Sequence, residues 1–220
     1  MDIFGVYKKL LKIYGSQGWW PLLINNRMTY GVHYSRLEKY GNNFRDPYFE
    51  IAIGAILTQN TAWTNVVVAI ENLYQTRALT PKKILEIPGA KLRKLIRPAG
   101  YFRQKTKKLK VFAKWILDNY QGDIRKLGQK DVLQAREELL SVWGIGKETA
   151  DSIILYALNK PIFVIDAYTK RFCAKYGIIY EEYDEYQNYF ESHLKREVKI
   201  FQEYHALLVA SGKDKHQKFS

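Results

Sequence analysis

Residues 139–172 read Leu-Leu-Ser-Val-Trp-Gly-Ile-Gly-Lys-Glu-Thr-Ala-Asp-Ser-Ile-Ile-Leu-Tyr-Ala-Leu-Asn-Lys-Pro-Ile-Phe-Val-Ile-Asp-Ala-Tyr-Thr-Lys-Arg-Phe. This is a helix, a tight Gly144-Ile145-Gly146 turn, a second helix, a short apolar run and one acid. Glycines at 144 and 146 admit backbone angles closed to other residues and leave another backbone free to approach. Beyond them the apolar residues fall at 150, 153, 154, 157 and 158, which predicts a helix over 147–158. The turn then aims unpaired N–H groups and the positive end of a helix outward, a site for an anion such as a phosphate diester. An ordinary helix–helix connection containing glycine has the same spacing. Lys160-Pro161 stops the helix. Ile162 to Ile165 is apolar and expected to be buried. Asp166 follows that run and precedes a helical pattern over 167–176, so it is an N-cap candidate. A cap kept ionised by the helix end can also be a catalytic carboxylate.

The rest of the chain limits what such a turn can serve. At 220 residues there is enough chain for one large domain or two small lobes. The formal net charge is +13, which suggests a polyanionic partner. A solvated Lys-rich surface is the plain alternative, common in proteins from hot habitats. The single cysteine, Cys173, excludes an internal disulfide and a cysteine-held zinc or iron–sulfur site. The four histidines, His33, His193, His205 and His216, lack metal-ligand spacing and read as surface or satisfied residues. No apolar stretch is long enough for a membrane span, and the start is not a signal peptide, so a reducing cytoplasm is expected.

Helical periodicity predicts elements over 3–14, 48–57, 62–75, 81–87, 90–96, 103–120, 131–141 and 184–212, besides those at 147–158 and 167–176. Residues 25–47 read as a long polar loop with one helical turn at 34–40. Strand signals are nearly absent and the fold class is all-α. Between 91 and 114 stand ten basic residues (Lys91, Arg93, Lys94, Arg97, Arg103, Lys105, Lys107, Lys108, Lys110, Lys114) and no acid. Such a stretch contacts phosphate well, although a solvated helix face has the same composition.

Gly-Ile-Gly-Lys-Glu-Thr-Ala-Asp at 144–151 followed by Val-Ile-Asp at 164–166 resembles the helix-hairpin-helix DNA glycosylase superfamily, the endonuclease III group. The resemblance implies a two-lobed fold. Residues 1–47 and 167–220 form a lobe from both chain ends. Residues 48–166 form a six-helix barrel carrying the helix-hairpin-helix at about 137–158, and the hairpin and acid face the cleft between the lobes. It also implies double-stranded DNA with a damaged base as partner, bound by a monomer. Gly144, Ile145, Gly146, Lys147 and Thr149 become DNA contacts. Gln59 fills the gap left by an extruded base, and Tyr101 or Phe102 wedges into the stack. A wedge and a filler are what extruding a base requires. The family's lyase lysine falls at Glu148, which cannot form a Schiff base and reads as an acid favourable to its helix dipole. Asp166 can still stabilise an oxocarbenium-like sugar and orient a water. Only one carboxylate is placed, which suits a base that is already cationic.

Trp-Trp-Pro at 19–21, Leu-Thr-Gln-Asn-Thr-Ala-Trp at 57–63 and Gly212-Lys213 narrow the resemblance to the 3-methyladenine DNA glycosylase III branch, which has no iron–sulfur cluster. In that branch the base is sandwiched by groups that carry over to Trp20, Pro21 and Trp63, with Trp19 adjacent. The tryptophans equally suit a core. Lys213 matches a lysine that can be carbamylated, or else is a solvated basic tail. A monovalent cation at the backbone of Leu140, Val142 and Ile145 is implied by the resemblance alone. Competing readings are a glycosylase for mismatched thymine, uracil or adenine, and a non-catalytic protein using the hairpin as a DNA clamp.

Overall fold

The computed structural model describes residues 2–32, 34–214 and 219, with backbone only at 34–36. His33 and His216 lie outside the described residues. The elements are α1 (Ile3–Tyr14), α2 (Pro47–Thr58), α3 (Trp63–Gln75), α4 (Pro81–Glu86), α5 (Gly89–Leu95), α6 (Phe102–Tyr120), α7 (Val132–Ser141), α8 (Lys147–Ser152), α9 (Ala167–Lys175), α10 (Tyr183–His193) and α11 (Val198–Lys213). Among the described residues the fold is all-α apart from one small ribbon.

Most boundaries follow local chemistry. Asp46 caps α2 by accepting from the N–H groups of Tyr48 and Phe49, with Pro47 at the first helical position. Thr80 and Pro81 open α4 in the same way. Helix α2 is apolar on nearly every face, so it is buried all round and forms the axis of the barrel. Helices α3, α6 and α8 pack on it, and α4 and α5 pack on α6. The two chain ends come together, because α11 lies on α1 and α9.

Three expectations need correction. Residues 22–29 form an antiparallel ribbon, β1 (Leu22–Ile24) and β2 (Arg27–Thr29), with Leu22 opposite Thr29. Its two-residue turn is Asn25-Asn26, with φ of 49° and 59°. Asparagine tolerates these left-handed angles, which a tight hairpin requires. The helix predicted over 184–212 is two helices, because Leu194 turns into the core with extended backbone, φ −123° and ψ 150°. One unbroken helix of that length would span about 43 Å, at 1.5 Å per residue, and could not fold back on α9 and α1. The second hairpin helix is α-helical only to Ser152, then widens into a π-type turn over Ile153–Ala157.

Lys105 departs from the reading of 91–114 as a uniform phosphate-facing stretch. It is buried, and its ammonium donates to the carbonyls of Leu57 and Ala99, both at 2.8 Å. These carbonyls end two helical segments and lack helical partners. Burial, with Lys108 nearby, lowers the Lys105 pKa to about 8. Lys110 likewise donates to the carbonyls of Leu85 and Ile87. Lys91, Arg93, Lys94, Arg97, Arg103, Lys107 and Lys114 are exposed.

Candidate active site

The hairpin connects α7 to α8, and its two glycines do different work. Gly144 has φ +91°, and a Cβ there would lie 2.6 Å from Lys108 Cγ, so the turn needs glycine. Gly146 has φ −100° and ψ 178°, backbone open to any residue, and a Cβ there would meet nothing within 4 Å. Gly146 therefore does not use the wider range of backbone angles that glycine admits. What Gly146 preserves is open space in front of the N-terminus of α8. Gly146→Val should leave the melting temperature nearly unchanged and weaken binding to all duplexes alike, because a phosphate contact carries no sequence information. Parallel melting and duplex titrations check this; sequence-selective weakening would contradict it.

Around the turn, Gln59 Nε2 donates to the Gly144 carbonyl at 3.2 Å and to Thr149 Oγ1 at 2.9 Å, and Lys108 donates to Gln59 Oε1. Gln59 thus braces the hairpin. Of the two wedge candidates, Tyr101 is 66% exposed in a left-handed conformation at the start of α6, whereas Phe102 is half-buried against the core. Tyr101 is the one free to enter a stack. Lys147 donates to Asp184 Oδ2 at 2.7 Å, so the N–H groups of α8, more than the lysine ammonium, face the anion position. Ile145 is buried and anchors the turn.

Asp166 caps α9 by accepting from the Thr169 N–H at 2.7 Å and its hydroxyl at 2.9 Å. Behind it lies a cavity of about 140 Å³ whose walls include Trp19, Trp20, Trp63, Thr149, Tyr168 and His205. His205 was expected to be a surface or satisfied residue. Instead, its Nε2 lies 3.7 Å from Asp166 Oδ2, buried and without a hydrogen-bond partner. Its Nδ1 meets the Tyr156 hydroxyl at 2.8 Å, and Tyr156 belongs to the π-type turn. Gln202, His205, Val209 and Lys213 share one face of α11 at helical spacing. The register of His205 with Val209 and Lys213 on one helix face was the signal available in the sequence. His193 is exposed and bonded to its own helix at the Tyr189 carbonyl.

The electrostatics separate two carboxyls at this cavity. Burial alone would raise the Asp166 pKa, but His205 and the two Thr169 donors outweigh it and hold the carboxyl below the usual aspartate range. At 3.7 Å the His205 ring lies beyond hydrogen-bond distance of the Asp166 carboxyl. Glu148 also lines the cavity. The residue keeps solvent exposure, yet crowding of its carboxyl, and then the Asp166 charge, push its pKa up. Glu148 is thus both an acid in the first turn of α8 and a carboxyl lining the cavity. Neighbouring carboxyls driven apart in pKa are a recurrent source of acid and base roles.

The tryptophans do not flank an empty slot. Trp20 and Trp63 touch edge to face, with centroids 5.1 Å apart and planes at 86°. Trp19 leans on Trp63 at 5.0 Å. Rings that hold a base between them are parallel and separated, so the expected sandwich is replaced by one continuous aromatic wall. Gly54 of α2 makes room for it, since a Cβ there would sit 3.2 Å from Trp20 Nε1. Pro21 is buried behind the wall and does not line the cavity. Lys213 ends α11 at the cavity edge, its ammonium 5.6 Å from the centre of the Tyr168 ring. No group of three or more metal-ligating side chains occurs among the described residues, and no described helix is long and apolar enough to cross a membrane.

Residues 53–196 match the family model of the HhH-GPD superfamily base excision DNA repair protein. A protein of Methanocaldococcus jannaschii, provisionally named a DNA repair glycosylase, is 44% identical over 94% of this chain and 85% of its own length. Endonuclease III of Thermotoga maritima is 26% identical over 60% of this chain and 57% of its own. Among solved structures, the H. pylori 3-methyladenine DNA glycosylase bound to 1,N6-ethenoadenine superposes with a TM-score of 0.75 at 30% identity, over 97% of this chain and 98% of that one. An endonuclease III–DNA complex, at 17% identity and a TM-score of 0.73 over 99% of this chain and 87% of that one, shares the fold. With its hairpin, its capping aspartate and this similarity along most of its length, the chain belongs to the HhH-GPD superfamily of base excision DNA repair proteins.

Proposed function

We propose that this chain is a monofunctional DNA glycosylase that removes alkylated purines of the 3-methyladenine type from double-stranded DNA and leaves an abasic site. The observation that carries this reading is the junction of an ionised Asp166 with a cavity of about 140 Å³ walled by Trp19, Trp20 and Trp63. An electron-rich aromatic wall attracts a cationic base by stacking and cation–π contact. As the bond from the sugar to the base lengthens, positive charge builds on the sugar, and Asp166 stabilises it. A water adds to the sugar carbon, its proton passes to Asp166 or to solvent, and the bonding pair leaves with the base. A base that starts cationic departs neutral and needs no added proton. For a neutral base, Glu148, whose pKa is pushed up by crowding and by the Asp166 charge, is the carboxyl at the cavity from which a proton would come.

The chain's other groups fit supporting roles. Lacking a Schiff-base lysine at Glu148, the protein should give no covalent adduct when borohydride is added to a reaction on methylated DNA. A trapped adduct would instead point to Lys213, the amine at the cavity edge. No iron–sulfur cluster is part of this reading, since the chain has one cysteine and that residue is buried. A monovalent cation would be held by backbone carbonyls of Leu140, Val142 and Ile145 at the C-terminal end of α7, where carbonyls carry negative partial charge. Lys213 is the residue proposed for carbamylation, which intact-mass measurement detects. The protein is proposed to act as a monomer in the cytoplasm.

Methylated DNA incubated with the protein, followed by identification of the released bases, tests the reading directly. Release of thymine or uracil from mismatches in place of alkylpurines would replace the substrate assignment. No release at all would favour a non-catalytic clamp. Trp63→Phe should retain much of the activity, whereas Trp63→Ala should lower 3-methyladenine excision by about 1–2 kcal/mol of stacking and charge attraction. Because Trp63 also packs on Trp19 and Trp20, melting temperature must be read on the same samples. A large stability loss with unchanged lesion preference per folded molecule would defeat the pocket role.

A further inference from the structure

The cavity behind Asp166 shares walls with two larger pockets. Thr58, Thr61, Glu148, Thr149, Asp166 and Tyr168 also line a cleft of about 510 Å³ that reaches Gly144 and Gly146 of the hairpin. Trp19, Ala62, Trp63, Val209 and Lys213 also line a chamber of about 500 Å³ on the other side. Among the described residues, the cleft and the chamber have no lining residue in common. The cavity thus lies between them and shares walls with both. The chamber is bounded by the 16–19 loop and Tyr30, by Thr64 at the start of α3, and by Ala206 and Ala210 of α11. Its aromatic surfaces continue from the cavity wall, with Trp19 5.0 Å from Trp63 and 6.0 Å from Tyr30.

Given the glycosylase reading on which this rests, we propose that the chamber is the exit site for the excised base, a free planar heteroaromatic ring. Cleavage leaves the abasic sugar in a strand whose phosphates the hairpin still holds, so the DNA closes the cleft. In a pocket with one mouth the base would stay until the DNA departs. On this proposal it slides along the continuous aromatic wall, passes between Trp19, Ala62 and Val209, which line both spaces, and reaches solvent through the chamber. Base departure and DNA departure are then separate events. Release steps of this kind often set the turnover of an enzyme.

The test uses free radiolabelled 3-methyladenine as probe and a duplex with a tetrahydrofuran abasic-site analogue. Protein already bound to that duplex should take up and lose the base at rates within about threefold of the DNA-free protein. A Thr64→Trp/Ala210→Trp variant fills the chamber from positions outside the base cavity. In the DNA-bound state this variant should exchange base about tenfold more slowly or worse. Without DNA it should exchange normally through the cleft, and its single-turnover excision should be unchanged. DNA-bound wild-type protein that loses base only as fast as it loses DNA would overturn the exit route, independently of how the variant folds. Protein that releases no base from methylated DNA would instead overturn the glycosylase reading, and the exit site with it.

Discussion

Asp166→Asn should slow base release from methylated DNA by about 100-fold or more, because it removes the one negative charge placed to meet charge growing on the sugar. The substitution separates chemistry from folding. Asparagine caps a helix about as well as aspartate, and its side-chain oxygen can still accept from the Thr169 N–H and hydroxyl that Asp166 now holds. Helix α9 should stay formed. Duplex affinity should be unchanged or slightly higher, since a negative charge leaves a phosphate-binding face. The low Asp166 pKa adds a pH signature. A carboxyl whose folded pKa lies below its unfolded value adds stability above the unfolded value, near 3.9, and loses it as pH falls through the folded one. The variant should therefore lack that part of the acid-limb stability while matching its shape elsewhere. Single-turnover excision, duplex titration and melting on one preparation check all three. Excision at the wild-type rate would remove Asp166 from the chemistry.

The parts of this site that could be read from the sequence are those encoded locally. The Gly-Ile-Gly turn, the apolar run before Asp166 and the cap itself each lie within a few residues of one another, and the structure has them. The helix start at Pro81 was legible for the same reason, and the start of α2 was read one residue late, at 48 in place of Pro47. What was not legible depends on partners far along the chain. His205 becomes part of the site only because α11 folds back over the π-type turn and brings its ring to Asp166 and Tyr156. The tryptophan pair was legible as aromatic, but its edge-to-face geometry depends on Gly54 of another helix. A basic stretch could be read for charge, yet nothing local marks Lys105 as the residue whose ammonium turns inward to two carbonyls. The ribbon at 22–29 was missed because three-residue strands carry too little alternation to register.

Arg136→Met should cost about 3–5 kcal/mol of stability by leaving a buried carboxylate without its counter-charge. Asp151 of α8 is fully buried. It accepts from Arg136 Nε at 2.7 Å, from a second Arg136 nitrogen at 3.1 Å and from Gln187 Nε2 at 2.7 Å. Arg136 also reaches Asp184 Oδ1 at 2.9 Å, and Lys147 holds the other oxygen of Asp184. This network ties α7 and α8, the two arms of the hairpin, to α10. At roughly 2–4 °C per kcal/mol for a chain of this size, the loss should lower the melting temperature by roughly 6–20 °C near neutral pH. The dependence on pH distinguishes lost charge pairing from lost packing. Burial already raises the Asp151 pKa against the pull of Arg136, Tyr183 and Gln187, and removing Arg136 raises it further. A carboxyl with a raised folded pKa favours the folded state when protonated, and that advantage fades as pH rises through the folded pKa. The deficit of the variant should therefore shrink on going from neutral to mildly acid buffer. Arg136→Met combined with Asp151→Leu should recover much of the loss, because an apolar pair of similar bulk has no charge left to bury. An equal deficit at both pH values, with no recovery in the double variant, would show that Arg136 matters through its packing and not through its charge.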